Sequence, residues 1–172
     1  APLDMRMNTS GKLTASDLIK TLDEESLANI FYNYGELKNS RQIAREIVTA
    51  RIIKPITSVN DIINAIDKLA PFRQEHKFYA KVFQSLRIAV NHEIDYLKEM
   101  LEQALFVLRP GGRLVVITYH SLEDRLVKNF MKTGNFDGNE IKDFYGNILT
   151  PFKIINRKGT TPSEEEIENN NR

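Results

Sequence analysis

Apolar residues in the first part of the chain recur at intervals of three and four, which is the period of an amphipathic helix. The pattern predicts four helices, over residues 14–22, 24–34, 39–53 and 57–69. Thr14 or Ser16 can cap the first helix, and Thr57 or Ser58 starts the fourth, since hydroxyl oxygens accept hydrogen bonds from free backbone N–H groups. Short loops join the four segments, so this part of the chain predicts a small helical bundle.

The pattern then continues with two longer helices and changes to that of a strand. Helical spacing over His76–Leu108 predicts two helices that meet near Asn91. After the turn Pro110–Gly112, the uninterrupted apolar run Leu114–Ile117 is typical of a strand buried on both faces. Phe152–Ile155 predicts a second, shorter strand.

Two further helix starts follow the predicted strand. Ser121–Asp124 has the pattern of a capping box with Ser121 as the cap, so we expect a helix from there to about Met131. A loop rich in glycine, asparagine and aspartate follows over residues 133–148. Thr161–Glu164 predicts a last helix with Pro162 at its first position. The order of elements is an all-helical module followed by an αβα unit.

Composition narrows the class of protein. The 172 residues carry 24 Lys and Arg against 23 Asp and Glu, so any nucleic-acid contact requires a local basic patch rather than a global field. The absence of cysteine excludes disulfides, thiol nucleophiles and cysteine-ligated zinc, and the three histidines are scattered, so no metal site is expected. No apolar run reaches the roughly 20 residues of a membrane helix. We expect a soluble, cytoplasmic protein that does not bind a membrane.

The third predicted helix is locally basic. Over residues 38–54 five cations stand against the single carboxylate of Glu46, a net charge of +4; the cations are Lys38, Arg41, Arg45, Arg51 and Lys54. Such a run contacts phosphate in some proteins and is a solvated helix face in others. The helical module is therefore also interpretable as a non-catalytic RNA- or protein-binding unit.

Polar residues cluster after the predicted strand, over His120–Asp124. Ligands of α/β proteins bind beyond the carboxyl ends of strands, so this cluster is a candidate site. The alternative is structural, with Ser121 capping a helix whose dipole favours the carboxylates of Glu123 and Asp124. Arg87 and Asn91 lie four residues apart within an apolar helix, which fits either a buried ion pair or a functional site.

Neither a P-loop nor a dinucleotide-binding glycine motif occurs in the sequence. Two strands do not form a stable parallel sheet alone, because such sheets need several strands covered on both faces. The αβα unit is therefore expected to belong to a larger sheet.

Four motifs together resemble those of the MraW-type family, bacterial S-adenosylmethionine-dependent methyltransferases that act on the N4 amine of a cytosine in 16S ribosomal RNA. The motifs are Pro2–Met7, Phe83–Glu93, Pro110–Leu114 and His120–Arg125. They occur in the order found in the family and span nearly the whole chain.

The resemblance implies a mostly helical α/β fold: part of a class I methyltransferase (Rossmann-like) sheet with few strands and an all-helical insertion. It implies a lead-in over 1–13, the helical insertion over 14–73, and the carboxyl-terminal part of the methyltransferase domain over 74–172. Leu114–Ile117 corresponds to the fifth strand of that domain. The amino-terminal part of the family, which holds the principal donor contacts, and the family's last strand have no counterpart here. No cofactor-binding residue is therefore assigned, and the isolated chain is expected to be inactive.

The resemblance also suggests roles for the polar residues. Methyl transfer to an amine needs hydrogen-bond acceptors and a group that takes a proton. The candidate catalytic residues are His120, Ser121, Glu123 and Asp124. The candidate substrate-binding residues are Arg87, Asn91, Arg125 and Lys128. The implied methyl donor is S-adenosyl-L-methionine and the implied partner is 16S rRNA of the small ribosomal subunit, while a homodimer that covers an open sheet edge stays an alternative.

Overall fold

The structure, a computed structural model, describes residues 1–156 and 160–170. It is mostly helical and divides into a first unit, Ala1–Tyr96, and a second unit, Leu97–Arg172. The α-helices are α1 (Ala15–Thr21), α2 (Glu24–Asn33), α3 (Ser40–Ile53), α4 (Val59–Ile66), α5 (Glu75–Asn91), α6 (Glu93–Val107), α7 (Ser121–Thr133) and α8 (Glu164–Asn169), and a short 3-10 helix covers Asp67–Leu69. In the ranges described, no helix is both long and apolar enough to cross a membrane.

Side-chain caps explain where the helices of the first unit begin. Thr14 and Ser58 each accept a hydrogen bond from the backbone three residues on, and Asp17 and Asp61 return the contact to the cap backbone. Both are capping boxes, which satisfy N–H groups that a helix leaves without partners. The predicted helices α1 to α4 are confirmed, to within a few residues at their ends.

The core of the first unit lies between α1 to α5, with α2 packed along α3. It also includes Leu3, which is 2% exposed and whose N–H donates to the Thr57 carbonyl at 2.9 Å. The lead-in is thereby tied to the start of α4. The buried core residues are Leu3, Ala15, Ile19, Leu27, Ala28, Phe31, Leu37, Ile43, Ala44, Ile47, Ile56, Ile62, Ile66, Phe78, Val82 and Leu86.

The predicted break near Asn91 is confirmed. His92 separates α5 from α6 in the left-handed conformation, with φ of 50°, which an α-helix cannot continue through. The His92 N–H still donates to the Ile88 carbonyl, so α5 ends in a closed turn.

The second unit has a smaller core built on α6 and α7. Leu101, Val127 and Phe130 are buried, and Phe136 stacks on Phe130 with ring centroids 4.7 Å apart. Phe152 contacts the Phe130 ring edge-on at 6.0 Å. α7 ends at Gly134, whose φ of 75° is the left-handed conformation that glycine adopts without strain.

The expected sheet is not seen in the described residues, and both strand predictions are wrong as regular strands. Leu114–Ile117 has no neighbouring strand among the described residues, and a strand forms only where its N–H and C=O groups have a partner. Leu114 and Val116 pack on the core of the second unit, whereas Val115 and Ile117 are 84% and 78% exposed. The segment is thus buried on one face, not on two as expected. Phe152–Ile155 is likewise irregular, and only Phe152 reaches the core.

Two predicted helix starts are also corrected. The cap of α7 is His120, one residue before the predicted Ser121, which is instead the first residue of the helix. α8 begins at Glu164 with Ser163 as its cap, so Pro162 precedes the helix rather than occupying its first position. In each case the residue whose side chain reaches the backbone N–H three positions later sets the boundary.

Candidate functional site

At the amino end of α7, the side chains of two predicted catalytic residues, His120 and Glu123, accept hydrogen bonds from nearby backbone N–H groups. His120 Nδ1 accepts a hydrogen bond from the Glu123 N–H at 3.3 Å. The Glu123 carboxylate accepts one from the Tyr119 N–H at 2.8 Å. Both side chains are largely buried, at 9% exposure for His120 and 20% for Glu123. Hydrogen bonds between residues three and four positions apart therefore hold the imidazole and the carboxylate at the helix start.

The cap determines what His120 can do chemically. Because Nδ1 accepts a hydrogen bond, the proton of the neutral ring is on Nε2. Nε2 is buried and has no hydrogen-bond partner among the described residues, although Glu123 Oε1 lies 3.5 Å away. In this geometry Nε2 is a donor, and Glu123 and Asp124 are the groups that can accept a proton.

The other predicted residues of this helix lie on its exposed side. Ser121, Arg125 and Lys128 are exposed and spaced by four and three residues, which places them along one face of α7. Asp124 Oδ2 accepts a hydrogen bond from Lys128 Nζ at 2.7 Å. The structure thus brings six of the predicted site residues together on the first turns of a single helix.

Arg87 and Asn91 lie together on α5 in the first unit. The Arg87 guanidinium forms a two-point ion pair with Glu93, at 2.9 and 3.0 Å. Asn91 Oδ1 accepts from the Met7 N–H at 2.7 Å, and its Nδ2 donates to the carbonyls of Met5 and Arg87, both at 2.8 Å. Both amide hydrogens of Asn91 are therefore engaged within the chain.

The loop over residues 4–11, which Asn91 contacts through Met5 and Met7, also contains hydrogen bonds of its own. Arg6 forms an ion pair with Asp4 through Nε at 2.6 Å and Nη2 at 2.8 Å, and its hydrogen bonds lower the pKa of Asp4 to about 2. Arg6 Nη1 donates to the carbonyls of Thr9 and Gly11. Met5 has φ of 63°, in the left-handed region, which is energetically unfavourable for a residue that has a side chain. Sequence reasoning assigned no role to this loop, although the pair Asp4 and Arg6 and the nearby Gly11 were its visible signals.

The basic run on α3 is partly structural. Arg51 Nη1 donates to the carbonyls of Ile19 and Leu22, the latter at 2.6 Å, and so closes the carboxyl end of α1. Lys54 pairs with Asp61 at 3.0 Å. These contacts take two of the five cations out of any phosphate-binding surface.

Comparison with known proteins gives a family match and several similar sequences. The sequence model of the MraW methylase family matches residues 1–172. Proteins named ribosomal RNA small subunit methyltransferase H are 56% identical over 170 residues in Phocaeicola vulgatus and in Bacteroides thetaiotaomicron, and 49% identical over 172 residues in Cytophaga hutchinsonii. These alignments cover 99%, 99% and 100% of this chain but 56%, 56% and 57% of the relatives. The chain spans about half the length of the curated relatives it matches.

Proposed function

Because the chain belongs to the MraW methylase family, we propose that it carries the acceptor-side residues of an enzyme that methylates ribosomal RNA of the small subunit. The names of the relatives support the substrate, and the family supports S-adenosyl-L-methionine as the methyl donor. The proposed reaction is transfer to the N4 amine of a cytosine in 16S rRNA. The whole reaction is assigned to a protein of the relatives' full length, and no donor-binding residue is assigned to this chain.

N4 methylation demands specific help from the protein. The lone pair of the exocyclic amine is delocalised into the ring, so the amine is a poor nucleophile that must be held ~3–3.5 Å from the methyl carbon. As the N–C bond forms, the C–S bond of the sulfonium breaks, and a proton leaves the nitrogen for an acceptor. A cytosine in folded RNA must also be unstacked to enter the site.

The observation that carries the proposal is the buried Nε2 of His120, which has no hydrogen-bond partner among the described residues and lies beside the Glu123 carboxylate. We assign Nε2–H to donate to an acceptor atom of the target base. Glu123 or Asp124 accepts the amine proton, and Ser121 orients the base at the helix start. This division follows from the cap, since a ring whose Nδ1 accepts from the backbone carries its hydrogen on Nε2.

The remaining candidates are assigned to the RNA backbone and to positioning. Arg125 on the exposed face of α7 is proposed to contact a phosphate next to the target base, and Lys128, which pairs with Asp124 at 2.7 Å, is proposed to hold that carboxylate in place. Asn91 is proposed to act by fixing the backbone of residues 5–7, since reading a base edge would break its hydrogen bonds to that loop. Arg87, paired with Glu93, is proposed to fix the end of α5.

A pair of substitutions separates the chemical role of His120 from its structural one. His120→Ala removes both the imidazole and the cap, which is worth about 1 kcal/mol of stability. His120→Asn keeps a good cap and removes only the imidazole. In the full-length protein we expect His120→Asn to unfold like the wild type and to lose about a hundredfold or more in kcat. Ser163→Asn, which replaces one good cap by another at the start of α8, is the matched control and should be unchanged.

The result of this series is decisive in either direction. Methyl transfer at the wild-type rate by His120→Asn would reduce His120 to a helix cap and remove the proposed site. Loss of turnover with unchanged stability would support it. Titration of S-adenosylmethionine into the 172-residue chain should release no heat of binding, and a measurable affinity would contradict the assignment of the donor site to another part of the protein.

A further inference from the structure

A single aromatic ring projects into solvent at the turn between the 3-10 helix and α5. Phe72 is 82% exposed, and the Arg73 guanidinium lies over its ring, 5.2 Å from the centroid. A lone exposed ring is common on protein surfaces, but a ring with a guanidinium over one face can stack a planar group on its other face.

The turn that carries Phe72 is held in place on both sides. The Gln74 N–H donates to the Pro71 carbonyl at 3.0 Å, and the Arg73 N–H donates to Glu75 Oε1 at 3.0 Å. The backbone of Arg73 lies in the left-handed region, with φ of 62°, a conformation that persists only where the surrounding contacts hold it.

A side-chain contact closes the base of this turn. The Tyr79 hydroxyl donates to the Asp67 carboxylate, which links α5 back to the 3-10 helix and raises the pKa of Tyr79 to about 12. The Tyr79 ring in turn packs edge-on against the buried Phe78, with centroids 5.6 Å apart. The turn that carries Phe72 is thus connected to the core of the first unit through Tyr79 and Phe78.

A second cation lies close to Phe72 in sequence. Lys77 is exposed on the first turn of α5, five positions after Phe72. The carboxylate in this stretch, Glu75, is engaged by the Arg73 N–H. An open aromatic face with cations beside it is the combination that binds single-stranded nucleic acid, because a base stacks on the ring while phosphates contact the cations.

We propose that the turn Phe72–Lys77 is a contact surface for single-stranded RNA. One unpaired base stacks on the open face of Phe72, the Arg73 guanidinium covers the ring from the other side, and Lys77 contacts an adjacent phosphate. The proposal rests on RNA being the substrate of the proposed function. It assigns RNA contact to this turn instead of to the basic run of α3, where Arg51 and Lys54 are bonded within the chain.

The test is fluorescence anisotropy of a labelled, unstructured RNA oligonucleotide titrated with the 172-residue chain. Loss of one stacked base lowers affinity about 5- to 100-fold, so we expect Phe72→Ala and Phe72→Leu to bind that much more weakly and Phe72→Trp to retain binding. Tyr32→Ala is the matched control, since the Tyr32 ring is also exposed, at 61%, and should leave affinity unchanged.

Salt dependence separates stacking from charge. Lys77→Ala should lower the slope of log affinity against log salt by about 0.7, the value for one phosphate contact on a single strand. Phe72→Ala should leave that slope unchanged. No binding by the wild-type chain, equal binding of duplex RNA, or equal losses in the Tyr32 and Phe72 variants would each overturn the proposal.

A second readout keeps this inference apart from the proposed function. In the full-length protein, Phe72→Ala should raise KM for rRNA and leave kcat unchanged. If the wild-type protein transfers no methyl group, the proposed function fails while the oligonucleotide result stands by itself. If methyl transfer is normal and Phe72→Ala leaves KM unchanged, the contact surface alone is refuted.

Discussion

Replacing Asn91 by alanine removes the side chain that joins the loop after Asp4 to the end of α5. Three hydrogen bonds are lost, from the Met7 N–H and to the carbonyls of Met5 and Arg87. The Arg87 carbonyl lies one helical turn before Asn91, so its loss is local. The two bonds to residues 5 and 7 connect segments more than 80 positions apart in sequence, and they hold the loop.

The expected cost is modest because two effects oppose each other. A net contribution of about 1 kcal/mol for each of the two long-range bonds gives about 2 kcal/mol. Release of the loop lets Met5 leave its left-handed conformation, which returns about 1 kcal/mol. We therefore expect Asn91→Ala to free the loop at a net cost of about 1 kcal/mol, with the core of the first unit unchanged.

Amide hydrogen exchange by NMR on the 172-residue chain measures this directly. The Met7 amide should be protected in the wild type although its side chain is 68% exposed, and Asn91→Ala should speed its exchange about fivefold, the equivalent of 1 kcal/mol. Asn91→Asp is the matched control, because its carboxylate still accepts from Met7 and should keep that protection. A Met7 amide that exchanges at the same rate in the wild type and in Asn91→Ala would show that Asn91 does not hold the loop.

Two further predictions concern stability. The Ser58 hydroxyl and Lys54 hold the pKa of Asp61 well below its usual 3.8. The ionised carboxylate therefore stabilises the fold above pH 3.8, and this contribution is lost as the pH falls further. Circular dichroism should show acid unfolding with a shallower pH dependence in Asp61→Asn, and an identical profile would contradict this. Leu101→Ala, at a fully buried position, should cost about 2–5 kcal/mol in urea unfolding of the second unit, whereas Phe106→Ala, 88% exposed on the same helix, should cost under about 0.5 kcal/mol. Equal costs would refute the placement of the core.

The helices were predictable because their signals are local. Thr14 with Asp17 and Ser58 with Asp61 each sit three residues apart, so the cap and the first turn are visible in the sequence. The break near Asn91 was also predicted, and the bond that ends α5, from the His92 N–H to the Ile88 carbonyl, is local. In these cases every contact that defines the boundary lies within one turn of it.

The outcome at Leu114–Ile117 was not predictable from that segment alone. The apolar run predicts a strand, but a strand also needs a neighbour, which the segment does not specify, and none pairs with it among the described residues. The alternation of packed Leu114 and Val116 with exposed Val115 and Ile117 depends on which face α6 and α7 cover. That choice is made by distant contacts.

The candidate site was predictable as a group and not in its internal roles. His120 to Asp124 stood out as polar residues after an apolar run, but the pattern favoured Ser121 as the cap. Which side chain reaches the Glu123 N–H depends on the path of the backbone into the helix, and it is the imidazole that does. The contacts of Asn91 with Met5 and Met7 were not predictable, because nothing near Asn91 in sequence indicates a partner so far away.

We propose that this chain belongs to an enzyme that methylates small-subunit rRNA at a cytosine amine. The most direct measurement incubates a full-length protein containing this sequence with 16S rRNA and S-adenosylmethionine, digests the RNA to nucleosides and identifies the product by mass spectrometry. We expect one cytidine carrying a methyl group on N4, formed about a hundredfold more slowly when His120→Asn replaces the wild type. No methylated nucleoside, or a methyl group on a ring carbon, would contradict it.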